Sequence, residues 1–191
     1  MSDVRTDMTA TAVNEAVTSF KNEGDIKCIG GSFKDMLGIA GIYGLNNTQA
    51  ISKATNIGNI ICAANVEDAT KCYVGGITAA INSGIAIDNS KSYGRIASFT
   101  WNGTKNGVVT NNTSNVGMIS SAAYDASKIL NCQIGGSWYK SATVVTNENG
   151  ELELDITYDD VTSSNFFKYI SASSNPTSAP GDSVCKYWDG K

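Results

Sequence analysis

The sequence predicts an all-β chain: a right-handed β-solenoid, or β-helix, of about 35-residue repeats built from half-repeats of about 17–19 residues, ending in an irregular C-terminal cap. Three observations predict it. Glycine-centred motifs recur along the chain at near-constant steps. The residues flanking those glycines are β-branched. The composition suits strands and turns, with apolar residues at 41%, charged residues at only 17%, 19 Gly and 2 Pro.

The recurrence has two alternating forms. The first is Asn22-Glu23-Gly24-Asp25-Ile26, Asn56-Ile57-Gly58-Asn59-Ile60 and Ser92-Tyr93-Gly94-Arg95-Ile96. Each has a branched apolar residue seven positions before its glycine: Val17, Ile51 and Ile87. The second form is Ile39-Ala40-Gly41-Ile42, Val74-Gly75-Gly76-Ile77 and Val116-Gly117-Met118-Ile119. A last copy, Ile129 to Gly136, carries Trp138 where the others carry Ile. Along Ile26, Ile42, Ile60, Ile77, Ile96, Ile119 and Trp138 the steps are 16, 18, 17, 19, 23 and 19 residues. The spacing alone leaves open whether one coil takes the half or the whole repeat.

Residues 1–16 read as a lead-in or irregular first rung, with Ala12 to Phe20 a short helix or part of that rung. Residues 17–138 read as the repeat array. Glycine beside Ile or Val disfavours helix, whereas a strand puts the first and third residues of Ile26-Lys27-Cys28, Ile60-Ile61-Cys62 and Ile96-Ala97-Ser98 on one face. Stacked in register, Ile26, Ile60 and Ile96 form one inward ladder, and Cys28, Cys62 and Ser98 the next. The recurring glycines mark bends or close backbone approaches. Leu45-Asn46-Asn47-Thr48 and Asn111-Asn112-Thr113 read as turns. The long step holds Trp101 to Gly107, an inserted loop of a kind that stacked repeats tolerate. Residues 139–191 read as the cap covering exposed strand edges: a strand at Glu151–Tyr158, a short helix from Asn165 to Ile170 capped by Thr162 or Ser163, a loop over Ser171–Asp182, and an aromatic end. Trp138 is expected in the core and Trp188 in cap packing.

Composition also excludes function classes. The net charge is −4 and the sequence pI about 4.8, with no Lys/Arg cluster to follow a phosphate backbone, so no nucleic-acid partner is expected. No run of 18 apolar residues occurs, so no membrane span is expected. The chain has no His, which removes Ser-His-Asp and Cys-His catalysis. There is no GxxxxGK[ST] loop for phosphates. The five cysteines, Cys28, Cys62, Cys72, Cys132 and Cys185, include no CxxC pair, so no zinc site is expected. They read as small core hydrophobes, with a Cys28–Cys62 disulfide as the alternative.

Carboxylate pairs are the remaining route to an enzyme, since some β-helical enzymes cleave polysaccharides with Asp or Glu. The candidates Glu67-Asp68 and Asp159-Asp160 both read as solvated turn charges. Asp155 with Asp159-Asp160 lacks the spacing of a calcium loop. No catalytic residue, metal or cofactor is expected. Tyr93, Trp101 and Asn102 are the candidate ligand-binding residues. An exposed aromatic beside Asn side chains can stack on a sugar face and bond its hydroxyls; alternatively Trp101 packs the insertion onto the wall. Gly24, Ile26, Gly41, Ile42, Gly58, Ile60, Gly76, Ile77, Gly94, Ile96 and Ile119 are structural repeat positions.

The motifs Tyr73-Val74-Gly75-Gly76-Ile77, Asn115-Val116-Gly117-Met118-Ile119 and Ile129-Leu130-Asn131-Cys132 resemble the glycine-rich "GLUG-like" repeats of secreted or lipid-anchored surface proteins of gut Bacteroidetes. The resemblance covers about residues 17–138. Met118 replaces a Gly of the pattern, Gln133 intrudes before Ile134-Gly135-Gly136, and no lipid-attachment Cys is present. The resemblance implies a surface location with adhesion or glycan contact, and carries no catalytic residue. The reading is thus a non-enzymatic cell-surface or secreted module for adhesion, for binding a glycan or partner protein, or for spacing. On this reading the chain is part of a longer parent protein whose export signal has been removed, with Met1 added; the other reading of the N-terminus is an intracellular chain. A β-helical polysaccharide-degrading enzyme or a phage or secreted fibre module are the alternatives.

Overall fold

The computed structural model describes residues 17–33, 37–46, 49–66, 72–81, 85–101, 107–108, 110–111, 115–172 and 174–191. β-Branched residues next to glycine favour extended backbone, and the described elements are mostly strands, with a 3-10 turn at Phe166–Tyr169. No helix among the described residues is long and apolar enough to cross a membrane.

Most strand pairs are parallel and join segments far apart in sequence. Val17–Thr18, Ile51–Ser52, Ile87–Asp88 and Ile129–Leu130 form one sheet. Lys21–Asn22, Thr55–Asn56, Lys91–Ser92, Cys132–Ile134 and Cys185–Tyr187 form a second. The third places Ile26–Phe33, Ile60–Val66, Arg95–Trp101 and Ser137–Thr146 side by side. Leu37–Ala40, Cys72–Gly75 and Val116–Gly117 form a fourth, and Tyr43–Asn46 pairs with Thr78–Ile81. Register partners in the first three sheets lie 34 residues apart, then 36, then 42. An all-β chain with parallel sheets of this kind is compatible with a β-helix-like fold.

The rows follow from side-chain period two. Ile26, Ile60, Ile96 and Trp138 share one register row. Cys28, Cys62 and Ser98 share the row two residues on. The second glycine motif lies on a different row: the Ile42 N–H donates to the Ile77 carbonyl and the Ile77 N–H to that of Ile119. Hydrogen-bonded neighbours on this row thus lie 35 and then 42 residues apart. Ile51, Ile60, Ile77, Ile87, Ile96, Ile119 and Phe99 are fully buried in one continuous core.

Two backbone devices turn the chain between sheets. Between the first and second sheets a single residue has positive φ on each row: Ser19 at 60°, Lys53 at 55°, Asn89 at 49° and Asn131 at 52°. Beyond the second sheet, glycine permits close stacking. A Cβ on Gly58 would lie 2.0 Å from the Gly24 carbonyl oxygen, and one on Gly94 would lie 1.9 Å from that of Gly58. Inside the second sheet Asn22 Nδ2 donates to Asn56 Oδ1 at 2.7 Å, and Asn56 Nδ2 donates to the Gly58 carbonyl at 3.0 Å.

The segment after Trp138 differs in detail from the expectation. The alternation of Glu151–Tyr158 does form a strand, Leu152–Asp160, running antiparallel to Ser137–Thr146. Asp159 and Asp160 belong to it, opposite Trp138 and Ser137, and do not lie in a turn. The expected short helix is a 3-10 turn at Phe166–Tyr169 with no side-chain cap; Asn165 Oδ1 instead accepts from the Thr162 N–H at 2.7 Å. Beyond it, the Met118 and Ile119 N–H groups donate to the Tyr169 and Ile170 carbonyls, and Cys185–Tyr187 adds in parallel to Cys132–Ile134. The C-terminal segment thus continues the same parallel sheets. Leu45 and Asn46, read as a turn, lie in the strand Tyr43–Asn46 opposite Ala80 and Ile81. Asn111 pairs with Phe99 in a short antiparallel strand. Ala12–Ala16, Glu67-Asp68, Asn47-Thr48 and Asn112-Thr113 lie outside the described residues.

Candidate functional site

The first and third residues of the motif Tyr93-Gly94-Arg95 border a surface cleft of about 460 Å³. Its walls come from three consecutive rows and the returning hairpin: Asn59 from the second row, Tyr93 and Arg95 from the third, Ser137 from the fourth, and Asp160 from the strand paired with it. One hydrogen-bond chain sets these positions. The Asn59 N–H donates to Asp25 Oδ1 at 2.9 Å, and the Arg95 N–H donates to Asn59 Oδ1 at 2.9 Å. The Asn59 donors hold the Asp25 carboxyl below its ordinary pKa. Ser137 Oγ donates to Asp160 Oδ1 at 3.1 Å. The Arg95 guanidinium carbon lies 5.2 Å from the centre of the Tyr158 ring, and burial raises the Tyr158 hydroxyl pKa.

A second cleft of about 310 Å³ adjoins it, lined by Lys21, Lys91 and Trp188. Ile57 borders both. The Tyr93 and Trp188 rings meet edge-on with centroids 5.6 Å apart. Lys91 Nζ lies 5.1 Å from the Trp188 ring centre, a cation–π distance. Trp188 Nε1 donates to the Lys191 carbonyl at 2.8 Å, which holds the indole in place. The two clefts together present aromatic rings, amide and hydroxyl groups, three lysines, an arginine and the Asp160 carboxylate. Such a set can pack the apolar face of a ring and hydrogen-bond its hydroxyls.

The sequence candidates fare unequally. Tyr93 lines the first cleft and is half-buried; a Cβ on Gly135 or Gly190 would lie 2.8 Å or 2.7 Å from its ring, so its packing depends on both glycines. Trp101 is not in a loop: its backbone ends the strand Arg95–Trp101, opposite Asn65. The extended pairing with Ile60–Val66 runs further than the Gly103 and Gly107 signals suggested. Asn102 lies outside the described residues. The aromatic partner of Tyr93 is Trp188, which the sequence placed in cap packing. Its part in the cleft depends on Cys185–Tyr187 pairing with Cys132–Ile134, a contact with no local sequence signal. Asp155, Asp159 and Asp160 do not converge: Asp155 lies opposite Thr143, Asp159 is 3.5 Å from Lys140 Nζ, and Asp160 accepts from Ser137. Among the described residues no group of three His, Cys, Asp or Glu is placed to hold a metal.

Comparison of the chain with family models, with curated proteins and with solved structures gives no match.

Proposed function

We propose that this chain is a non-enzymatic β-solenoid module, about 35 residues per coil, that binds a glycan in the paired clefts around Tyr93 and Trp188. The coil length is supported by parallel partners 34 and 36 residues apart. The observation that carries the binding reading is the edge-on Tyr93–Trp188 pair joining two polar clefts. Sugar rings offer alternating hydroxyls and C–H faces, and such clefts match both. The binding reading is favoured over polysaccharide cleavage because hydrolysis needs two carboxylates about 5–10 Å apart, and Asp160 is the one carboxylate among the residues lining the larger cleft. The resemblance to GLUG-like repeats supports a cell-surface or secreted setting and a longer parent protein.

The test is a glycan-array screen of wild type beside Trp188→Ala, Arg95→Ala and Trp101→Ala, each checked by thermal melting. Binding by wild type that Trp188→Ala and Arg95→Ala lose and Trp101→Ala keeps, at unchanged melting temperature, supports the reading. Binding lost only in Trp101→Ala moves the site to the end of the strand Arg95–Trp101. No binding by wild type overturns the glycan reading and leaves a spacer or protein-partner surface.

A further inference from the structure

Three of the five cysteines meet at one place, although they lie on three strands. Cys28 in Ile26–Phe33 is the direct register partner of Cys62 in Ile60–Val66. Cys72, at the start of Cys72–Gly75, has its Sγ 3.5 Å from Cys62 Sγ and 3.5 Å from Ser98 Oγ. Cys62 and Cys72 are fully buried, whereas Cys28, on the outermost described row, is only partly so. Cys62 is therefore the central thiol, in contact with one accessible and one buried partner. All three are thiols in the structure.

We propose that Cys28, Cys62 and Cys72 form a thiol–disulfide exchange site, in which Cys28 is the entry thiol for an external small-molecule disulfide and Cys62 is the resolving thiol. The spacing permits it. Neighbouring strands lie about 4.8 Å apart, inside the Cα separation of about 4.4–6.8 Å that a disulfide spans. The reaction balances with a disulfide such as oxidised glutathione as the oxidant. The Cys28 thiolate attacks one oxidant sulfur, the oxidant S–S bond breaks, and the first glutathione leaves and takes a proton. Cys62 then gives up its proton and attacks Cys28 Sγ; the mixed disulfide breaks and the second glutathione leaves as thiol. Two protein thiols have lost two electrons and two protons, and one external disulfide has become two thiols. The proton that Cys62 gives up is the one the departing second glutathione takes, and Cys72, 3.5 Å from Cys62 Sγ, stays a thiol throughout.

The electrostatics favour Cys28 as the entry thiol and make the attack by Cys62 the slower step. Hydrogen bonding with Cys62 brings the Cys28 thiol down to about 7, below the ordinary thiol value. The same hydrogen bonds and burial push Cys62 up, and the contact with Cys62 pulls Cys72 down. The molecule carries its own contrast. Cys132 and Cys185 are also register partners, but both are fully buried, and burial holds their protons on. They offer no entry thiol.

The test uses the full reduced chain, oxidised glutathione, intact-mass measurement and peptide mapping. Wild type is expected to lose two hydrogens, retain no glutathione, and yield a linked Cys28–Cys62 peptide. Cys62→Ser is expected to accumulate one persistent glutathione on Cys28. Cys28→Ser is expected to oxidise at Cys62 at least about tenfold more slowly, since the accessible thiolate is gone. Should Cys62→Ser fail to fold, the wild-type map and Cys28→Ser decide alone. A stable glutathione adduct on wild-type Cys28, undiminished oxidation of Cys62 in Cys28→Ser, or a Cys132–Cys185 link formed first would each overturn the proposal.

Discussion

Asn22 Nδ2 donates to Asn56 Oδ1 at 2.7 Å across 34 residues of chain, and the acceptor side chain is fully buried. Both side chains also donate to a carbonyl two residues on, Gly24 and Gly58 respectively. A buried amide is favourable only when its donors and acceptor are satisfied, and here Asn22 on the preceding rung satisfies the Asn56 oxygen. Asn56→Ala leaves the Gly58 carbonyl and the Asn22 amide without these partners. The expected loss is about 2 kcal/mol, read by urea denaturation. An unchanged midpoint would show that the row carries no stability.

The positive-φ row predicts changes of both signs. A left-handed conformation costs most side chains about 1–2 kcal/mol, and Asn tolerates it best. Lys53, at φ 55°, is exposed, so Lys53→Asn should gain about 0.5–1 kcal/mol. Asn89→Val should lose about 1–2 kcal/mol, partly by removing the Asn89 Nδ2 bond to Asp88 Oδ2. Thermal melts of both variants check this; a gain for Asn89→Val would refute the strain argument.

Glycines on one row should respond very differently to alanine. At Gly94 a Cβ would lie 1.9 Å from the Gly58 carbonyl oxygen, whereas at Gly24 the nearest atom is Asn22 Oδ1 at 4.0 Å. Gly94→Ala is expected to cost about 3 kcal/mol or more, because backbone must move. Gly24→Ala is expected to stay within about 0.5 kcal/mol of wild type. Denaturant midpoints of the two variants, measured together, decide it.

Alkaline stability should report the buried thiols. Burial raises Cys132 from 9.0 to about 12. Between those values the unfolded chain has released this proton and the folded chain has not, so stability is complete below pH 9 and falls as pH rises towards 12. Each pH unit in that window removes at most about 1.4 kcal/mol for this group. Cys132→Ala should show a shallower fall of melting temperature from pH 9 to 11; an equal fall would assign the slope to other groups, among them Tyr139, which burial also raises.

The sequence by itself determined which residues face inward together. Side-chain period two and a motif spacing of 34 to 36 residues already align Ile26 with Ile60 and Ile96, and Cys28 with Cys62 and Ser98, as the strand registers do. The alternation after Glu151 likewise marks the strand Leu152–Asp160. These are local or periodic properties, and backbone geometry converts them directly into faces and rows. Only the tertiary structure decided which distant rows become neighbours. It returned the C-terminal segment to the sheets through Ile119–Ile170 and Cys132–Cys185, and so set Trp188 against Tyr93. It also put Lys53, a residue with no turn signal, into a left-handed corner. Burial of the shared core outweighs local preference of about 1–2 kcal/mol at such a residue, so pairing and strain of this kind follow from packing of the whole chain.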